Sequence, residues 1–432
     1  MSSIPSIPAS TSPVRTLLRD RSFLCIWAIG GLSGVVRWLQ LLVLGIYTFR
    51  ITGSPLLVST IPILLMLPLA LFGPVVGVIA DRFNRKTMII VTLAFMMTLC
   101  IVAAVLASTR GLSYPNVAVI ALLSGMYFAT DMPVRRRLLG DLAGASVAPA
   151  MGLDSATANV TRMAGPLLGG VMLEMFSIGG VFVLSALFYA VCLLLIGLSR
   201  MPDHPRAATG TMFVHEFVGG IKYVLGNATL RRIFSITMIF NIFGFSFTSM
   251  VPIIGTERLG LGPLMVGAMS SAEGLGAFSG AIVIAFFATR ERFFQIYFWG
   301  TTAYITAVGY LGILCSVAGG PVHSLVVVSG TLLTIGMAGS CFATMQGTLT
   351  YLAAPPEYRS RVLGVLALCI GTGPLGFFNV GWMAEAFGVP AALMISSAEG
   401  LTVLALLWIF RRESSTEVGL PAMEMVQAKG PE

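Results

Sequence analysis

The sequence predicts an all-α membrane protein with twelve transmembrane helices, arranged as two pseudo-symmetric six-helix bundles. Of its 432 residues, 56% are hydrophobic and only 10% are charged, whereas about 25% of the residues of a soluble domain are charged. Apolar runs of about 20 residues, the length that crosses a bilayer, recur along the chain. One long polar segment divides these runs near the middle of the sequence. Lipid is therefore the expected environment of most of the protein surface.

The apolar runs give the limits of the predicted helices and domains. The first run is too long for a signal-peptide core and lacks a small-residue cleavage site, so we interpret it as a retained helix. The predicted helices span 22–49, 55–80, 87–108, 115–137, 147–173, 179–199, 231–255, 263–288, 294–317, 323–352, 361–385 and 390–410. The predicted domains are an N-terminal tail (1–21), a first six-helix bundle (22–199), a linker (200–230), a second six-helix bundle (231–410) and a C-terminal tail (411–432).

The distribution of basic residues predicts the orientation. If the N-terminus lies inside the cell, 21 of the 26 Lys and Arg residues fall in segments on that side. Basic residues near membrane helices are retained in the cytoplasm, so both termini are expected there. The net charge of +8 comes from these short clusters and not from one amphipathic face, so we expect no nucleic-acid partner.

Enzymatic and ATP-driven functions lack support in the sequence. All six cysteines fall inside apolar runs without a CxxC pair, and no phosphate-binding G-x-x-x-x-G-K-[ST] loop occurs. The three histidines lie far apart, at positions His204, His215 and His323. We therefore expect no metal, no cofactor and no catalytic site, and an ion gradient as the source of energy.

A basic loop after the second predicted helix carries the first resemblance to a known family. Its motif positions are Gly77, Asp81, Arg82, Arg85 and Lys86. They resemble the signature G-x-x-x-D-R-x-G-R-[RK] of the major facilitator superfamily, with Asn84 in place of a glycine; asparagine tolerates the same left-handed turn. The resemblance implies the major facilitator fold and a loop that latches the two halves together when the cavity faces outward.

The fifth predicted helix is similar to the antiporter motif G-x-x-x-G-P-x-x-G-G of the same superfamily. The matching positions are Thr161, Gly165, Pro166, Gly169 and Gly170, with Thr161 at the first glycine. The resemblance implies export, although small residues four apart also serve ordinary helix packing. A Gly-Pro pair recurs 208 residues later, at Gly373-Pro374, which indicates an internal duplication. Three further segments resemble the bacterial branch that contains the enterobactin exporter and macrolide efflux pumps, namely 52–55, 131–135 and 356–362. This resemblance implies the bacterial cytoplasmic (inner) membrane.

Ionisable groups at membrane depth are costly and usually face a cavity or a partner, so they are the candidate site residues. Glu273 in the eighth predicted helix is the first candidate for proton coupling; a static hydrogen bond between helices is the alternative. Asp131 is the second candidate, although its place beside Arg135 also fits a gate ion pair. The candidates for substrate binding are Arg37, Gln40 and Arg162, and a structural pairing with an acid is the alternative for Arg37.

These observations predict a secondary active transporter that works by alternating access. The favoured function is proton-coupled efflux of a small organic molecule, such as a siderophore, a drug or a metabolite. The alternative is a proton-coupled uptake permease for a small metabolite, and a non-transporting receptor or an enzyme has less support. The expected partners are the small-molecule substrate, protons as the coupling ion and the lipid bilayer, and we expect the protein to act as a monomer.

Overall fold

The computed structural model describes residues 13–82, 84–109, 111–199, 213–317, 321–355 and 357–413, and helices dominate this part of the chain. The side chains of 72–82 lie outside the description. The first six helices are α1 (Arg21–Thr52), α2 (Pro55–Arg82), α3 (Arg85–Thr109), α4 (Tyr114–Ala143) and the two arms of Val147–Leu198, which are α5 (147–176) and α6 (178–198). The other six are α7 (Ala228–Arg258), α8 (Pro263–Phe287), α9 (Phe293–Val317), α10 (Pro321–Ala353), α11 (Arg359–Ile370 and Gly373–Phe387) and α12 (Val389–Glu413).

The helix count confirms the predicted fold class. Within the described residues, 10 helices are long and apolar enough to cross a membrane. One of them is the 52-residue helix Val147–Leu198, which holds two spans, and α2 adds a further helix of 28 residues. Two helices fall in segments that the sequence assigns to the tail and the linker, namely Pro13–Leu17 and Phe213–Gly226.

The break between α5 and α6 is local and sharp. Ser177 has φ 60° and ψ −175° in the middle of an otherwise continuous helix. Such a backbone conformation is essentially reserved for glycine, and a side chain there costs about 1–3 kcal/mol. The sequence places the junction correctly, between the predicted spans 147–173 and 179–199, but nothing in the sequence marks Ser177 itself.

Helix α7 is irregular along the stretch that lines the centre of the molecule. It contains π-helical turns at Phe240–Gly244 and Ile254–Arg258, with a 3₁₀ turn at Phe245–Ser249 between them. Helix α11 is interrupted between Ile370 and Gly373. Departures of this kind often mark functional hinges in helices, and both occur in helices that contact the first half of the chain.

The helices pack mainly within two groups, which we call the first half (α1–α6) and the second half (α7–α12). In the first half, α5 packs on α1, α6 on α3, and α2 on α4; in the second half, α10 packs on α8 and α9, and α9 packs on α12. The halves meet where α5 contacts α8, α2 contacts α11 and α1 contacts α7. We call the end of the molecule that holds Arg21, Arg85 and Arg290 the basic end and the other end, at Gly53 and Gly262, the far end.

Replacement of Ser177 by glycine tests the strain at the break. We expect Ser177→Gly to raise the free energy of unfolding by about 1 kcal/mol, because glycine adopts the observed backbone angles without strain. The matched control is Ser155→Gly, at an exposed position of regular helix in α5. This control should lower stability by about 0.5–1 kcal/mol. Thermal unfolding in detergent measures both, and a loss of stability in Ser177→Gly would contradict the assignment of strain.

Candidate functional site

The candidate site is centred on an ion pair that joins the two halves. Arg162 of α5 donates from Nη2 to Oε1 of Glu273 of α8, over 2.5 Å. The two side chains retain only 20% and 10% of their accessible surface. Both groups lie near the middle of their helices, at membrane depth. A pair in such a place stabilises the contact between the halves only while both partners stay charged.

A small cavity surrounds the pair between the halves. It has a volume of about 50 Å³, which holds a few water molecules. Five helices contribute to its walls, and most of its lining is apolar, including Trp38, Ile61, Pro62, Pro166 and Val251. A typical ligand pocket measures about 300–1,000 Å³. The halves must therefore separate further before an organic molecule fits at this position.

Aromatic side chains hold the arginine of the pair in place. The guanidinium carbon of Arg162 lies 5.1 Å from the ring centre of Trp38 and 5.9 Å from that of Phe245, distances at which a cation is attracted to an aromatic face. Among the described atoms, Nε of Arg162 and the hydroxyl of Tyr304 are buried without a hydrogen-bond partner. Nε of Arg162 therefore has no described acceptor within hydrogen-bond distance, and the Tyr304 hydroxyl lies close to the guanidinium group.

The predicted antiporter motif lies along this interface. A Cβ atom on Gly165 would come within 2.6 Å of the Cβ of Trp38, and one on Gly170 would meet the backbone of Pro263 and Gly267. The motif glycines therefore let α5 approach α1 on one side and α8 on the other.

The remaining motif positions add to these contacts. Gly169 approaches Leu39 of α1, and Thr161 packs against Gly34 of the same helix. Pro166 lines the cavity, and its carbonyl oxygen faces Gly267 of α8. All five predicted motif residues thus lie where α5 contacts its neighbours.

Asp131 belongs to a separate cluster inside the first half. Its Oδ2 accepts a hydrogen bond from Nε of Arg135 over 3.3 Å, and Arg135 also donates to Asp154 of α5 over 2.7 Å. Arg136 completes the cluster with a 3.0 Å contact to Asp154. Asp131 is thus paired inside the first half and does not lie at the central cavity, and its role in a gate or in proton coupling stays a prediction.

The other two candidates for substrate binding lie outside the cavity lining. Arg37 is half-buried, with its guanidinium carbon 5.1 Å from the ring centre of Phe128. Gln40 is fully buried and donates to the sulfur of Cys100 over 3.6 Å, while its Oε1 has no partner among the described atoms. Of the three candidates, only Arg162 lines the cavity.

The basic loop makes its described contacts within the first half. Arg85 pairs with Asp141 at the end of α4, and Nζ of Lys86 donates to the carbonyl oxygen of Ser199 over 2.8 Å. The side chains of the other loop positions, Gly77, Asp81 and Arg82, lie outside the described residues. In this conformation Arg85 and Lys86 do not bridge the halves.

Two residues near the pair, Ser271 and Tyr304, are not predicted from the sequence. Oγ of Ser271 donates to the carbonyl oxygen of Met163 over 2.6 Å, next to the close approach of Gly274 to the same residue. Tyr304 lies close enough to interact electrostatically with both Arg162 and Glu273. The only available signal is the position of Ser271 two residues before Glu273, and no local pattern points to Tyr304.

Comparison with known proteins identifies relatives over most of the chain. The family described as transmembrane secretion effector matches residues 11–428. The staphyloferrin A transporter of Staphylococcus aureus (strain NCTC 8325 / PS 47) is 20% identical, over 81% of this chain and 86% of its own length. The multidrug efflux pump Tap of Mycolicibacterium fortuitum is 25% identical, over 80% of this chain and 85% of its own. The crystal structure of the nucleoside transporter NupG aligns with a TM-score of 0.71 at 14% identity, over 90% of this chain and 99% of its own.

An alanine at the helix contact tests the motif. We expect Gly170→Ala to lower the free energy of unfolding by about 1–3 kcal/mol, because the added methyl group has no room between α5 and α8. Gly152→Ala is the matched control in the same helix, since nothing lies within 4 Å of its Cβ position. Thermal unfolding in detergent measures both variants. Equal stability of the two would show that the glycine is not needed for the contact.

Proposed function

The chain belongs to the transmembrane secretion effector family of major facilitator superfamily transporters, and we propose that it exports a small organic molecule in exchange for protons. The observation that carries this proposal is the ion pair between Arg162 and Glu273, which joins the two halves at the centre of the molecule. When a carboxyl group in this position binds a proton, it loses its charge and with it the ionic attraction to the arginine. Proton binding is thereby linked to the contact between the halves.

The pair acts as a lock on the transporter when neither proton nor substrate is bound. With Glu273 ionised, its attraction to Arg162 holds α5 against α8 and the halves stay together. Protonation of Glu273 removes one charge, and a polar or anionic substrate group that engages Arg162 competes for the other. Either event releases the lock and lets the halves rock about the central site. If the empty binding site cannot switch from one side of the membrane to the other, substrate and proton can only be exchanged for each other.

Two further observations support export over uptake. The antiporter-like motif from Thr161 to Gly170 lies at the α5 contacts with α1 and α8, the interface that has to rearrange. A relative that matches over most of the chain, Tap, is an efflux pump. We propose a siderophore, a drug or a related metabolite as the exported class. The substrate enters from the cytoplasm or the inner leaflet, and a proton from outside drives the return through Glu273.

The same transport cycle gives proposed roles to the orientation, the other candidate residues and the basic loop. The protein lies in the bacterial cytoplasmic membrane as a monomer, with both termini and the basic end in the cytoplasm. Arg37, which lies over Phe128 of α4, stays the candidate for substrate contact on this side, whereas Gln40 is buried against Cys100 of α3 within the first half and is not uncovered when the halves separate. Asp131 keeps its pair with Arg135 as part of a gate. The basic loop, through Asp81 and Arg85, latches the halves in the outward-facing state, while in the present conformation Arg85 is held by Asp141.

Replacement of Glu273 by glutamine tests the proposal. In inside-out vesicles that contain the wild-type protein, addition of a transported siderophore or lipophilic cation should make the lumen more alkaline, because protons leave as substrate enters. Glu273→Gln should abolish this proton movement, because glutamine cannot exchange a proton. A fluorescent pH probe in the lumen measures the change.

Glu399→Gln is the matched control for this experiment. The sequence Ser-Ser-Ala-Glu-Gly surrounds Glu399 as it surrounds Glu273, but Glu399 accepts a hydrogen bond from Asn379 inside the second half, over 3.0 Å. This variant should keep the proton movement of the wild type. Acidification of the lumen with substrate would instead support uptake by symport, and an unchanged Glu273→Gln would place the proton site elsewhere.

A further inference from the structure

Two glutamates at the far end reach across the interface in opposite directions. Oε2 of Glu174, near the end of α5, accepts a hydrogen bond from the backbone N–H of Leu264 in the first turn of α8, over 2.8 Å. Oε2 of Glu385, near the end of α11, accepts from the backbone N–H of Leu56 in the first turn of α2, over 3.2 Å. Each half therefore supplies a carboxylate to a helix N-terminus of the other half.

The physical basis of both contacts is the unsatisfied start of a helix. The first N–H groups of a helix have no partner within it, and the helix dipole favours a negative charge at this end. Glu174 supplies the acceptor that α8 lacks, because the residue at the N-cap is Gly262, which has no side chain. A carboxylate in such a place makes a charge-assisted hydrogen bond, which is stronger than a neutral one.

The contact at α2 contains a second acceptor. Glu385 also accepts from the hydroxyl of Ser54 over 2.7 Å, and Oγ of Ser54 accepts in turn from the N–H of Leu57 over 3.2 Å. Helix α2 therefore keeps a cap from its own half when Glu385 is removed. Helix α8 keeps none when Glu174 is removed.

The two contacts are related by the internal duplication. Gly262-Pro263-Leu264 follows Ser54-Pro55-Leu56 by 208 positions, the same spacing that separates Gly165-Pro166 from Gly373-Pro374. In each half, the glutamate comes from the fifth helix and its partner is the second helix of the opposite half. One local arrangement is thus used twice, around the pseudo-twofold axis of the fold.

We propose that Glu174 and Glu385 form the gate that closes the far end of the transporter. Both side chains are exposed at that end, beyond the buried hydroxyl contact between Ser59 and Ser249 that joins the halves over 3.1 Å. The far end opens only when both carboxylates leave the helix starts of the opposite half. Because α8 has no other cap, the Glu174 contact holds the gate more firmly than the Glu385 contact.

A distance measurement across the far end tests the gate. Spin labels at Thr109→Cys and Val317→Cys mark the far ends of α3 and α9, and Cys341→Ala removes the half-buried native thiol, the other five being buried. We expect Glu174→Ala to increase the population with the longer distance about fivefold, the change in an equilibrium that corresponds to one lost cap. Glu385→Ala should give a smaller increase, and the double variant the largest.

A second substitution separates gating from simple helix stability. In Glu174→Ala/Gly262→Ser, the new serine caps α8 from its own half, as Ser54 does for α2. If Glu174 acts as a gate, this double variant keeps the larger population with the longer distance, because the contact between the halves is still missing. An unchanged distance in both single variants, or a return to the wild-type distribution with Gly262→Ser, would overturn the proposal. The proposal rests on the alternating access of the proposed function, but the measurement follows conformation without transport and is independent of the direction of transport.

Discussion

A charge in the interior of a membrane is stable only with a partner, and this constraint governs the centre of the transporter. Arg162 and Glu273 come from different halves of the chain, and each satisfies the other at 2.5 Å. Neither half can keep its charge at this depth without the other half or a ligand. The ionic contact therefore also joins the two halves, and in the proposed cycle protonation of Glu273 weakens it.

The surroundings of the pair accord with this role. The motif glycines bring α5 against both α1 and α8, so a small separation of the helices moves the two charged groups apart. The rings of Trp38 and Phe245 flank the arginine, and Trp38 also lines the cavity. Toward the far end, the Ser59–Ser249 contact and the two glutamate caps continue the interface. The conformation is thus closed from the central pair to the far end.

Much of this arrangement follows from the sequence, for identifiable reasons. Long apolar runs predict the twelve helices because the thickness of the bilayer sets their length. A charge at membrane depth marks Glu273 and Arg162 as candidate site residues, each by itself. The sequence does not pair them, because 111 positions separate them and only the packing of α5 on α8 brings them together. The hydrogen bond from Leu264 to Glu174 cannot be predicted either, because 90 positions separate the two residues. Local irregularities, such as the strained Ser177 and the π turns of α7, depend on tertiary packing that overrides local propensity.

The far-end distance between labels on α3 and α9, measured as a function of pH in the wild type and in Glu273→Gln, tests whether the Arg162–Glu273 pair locks the two halves together. The Glu273→Gln variant keeps every other titratable group of the wild type, so a difference between the two pH responses reports the proton of Glu273. If the ion pair locks the halves, the wild type shifts toward the longer distance as the pH falls, and Glu273→Gln is already shifted at every pH. A wild type that does not respond, or a variant with the same response as the wild type, would contradict the lock.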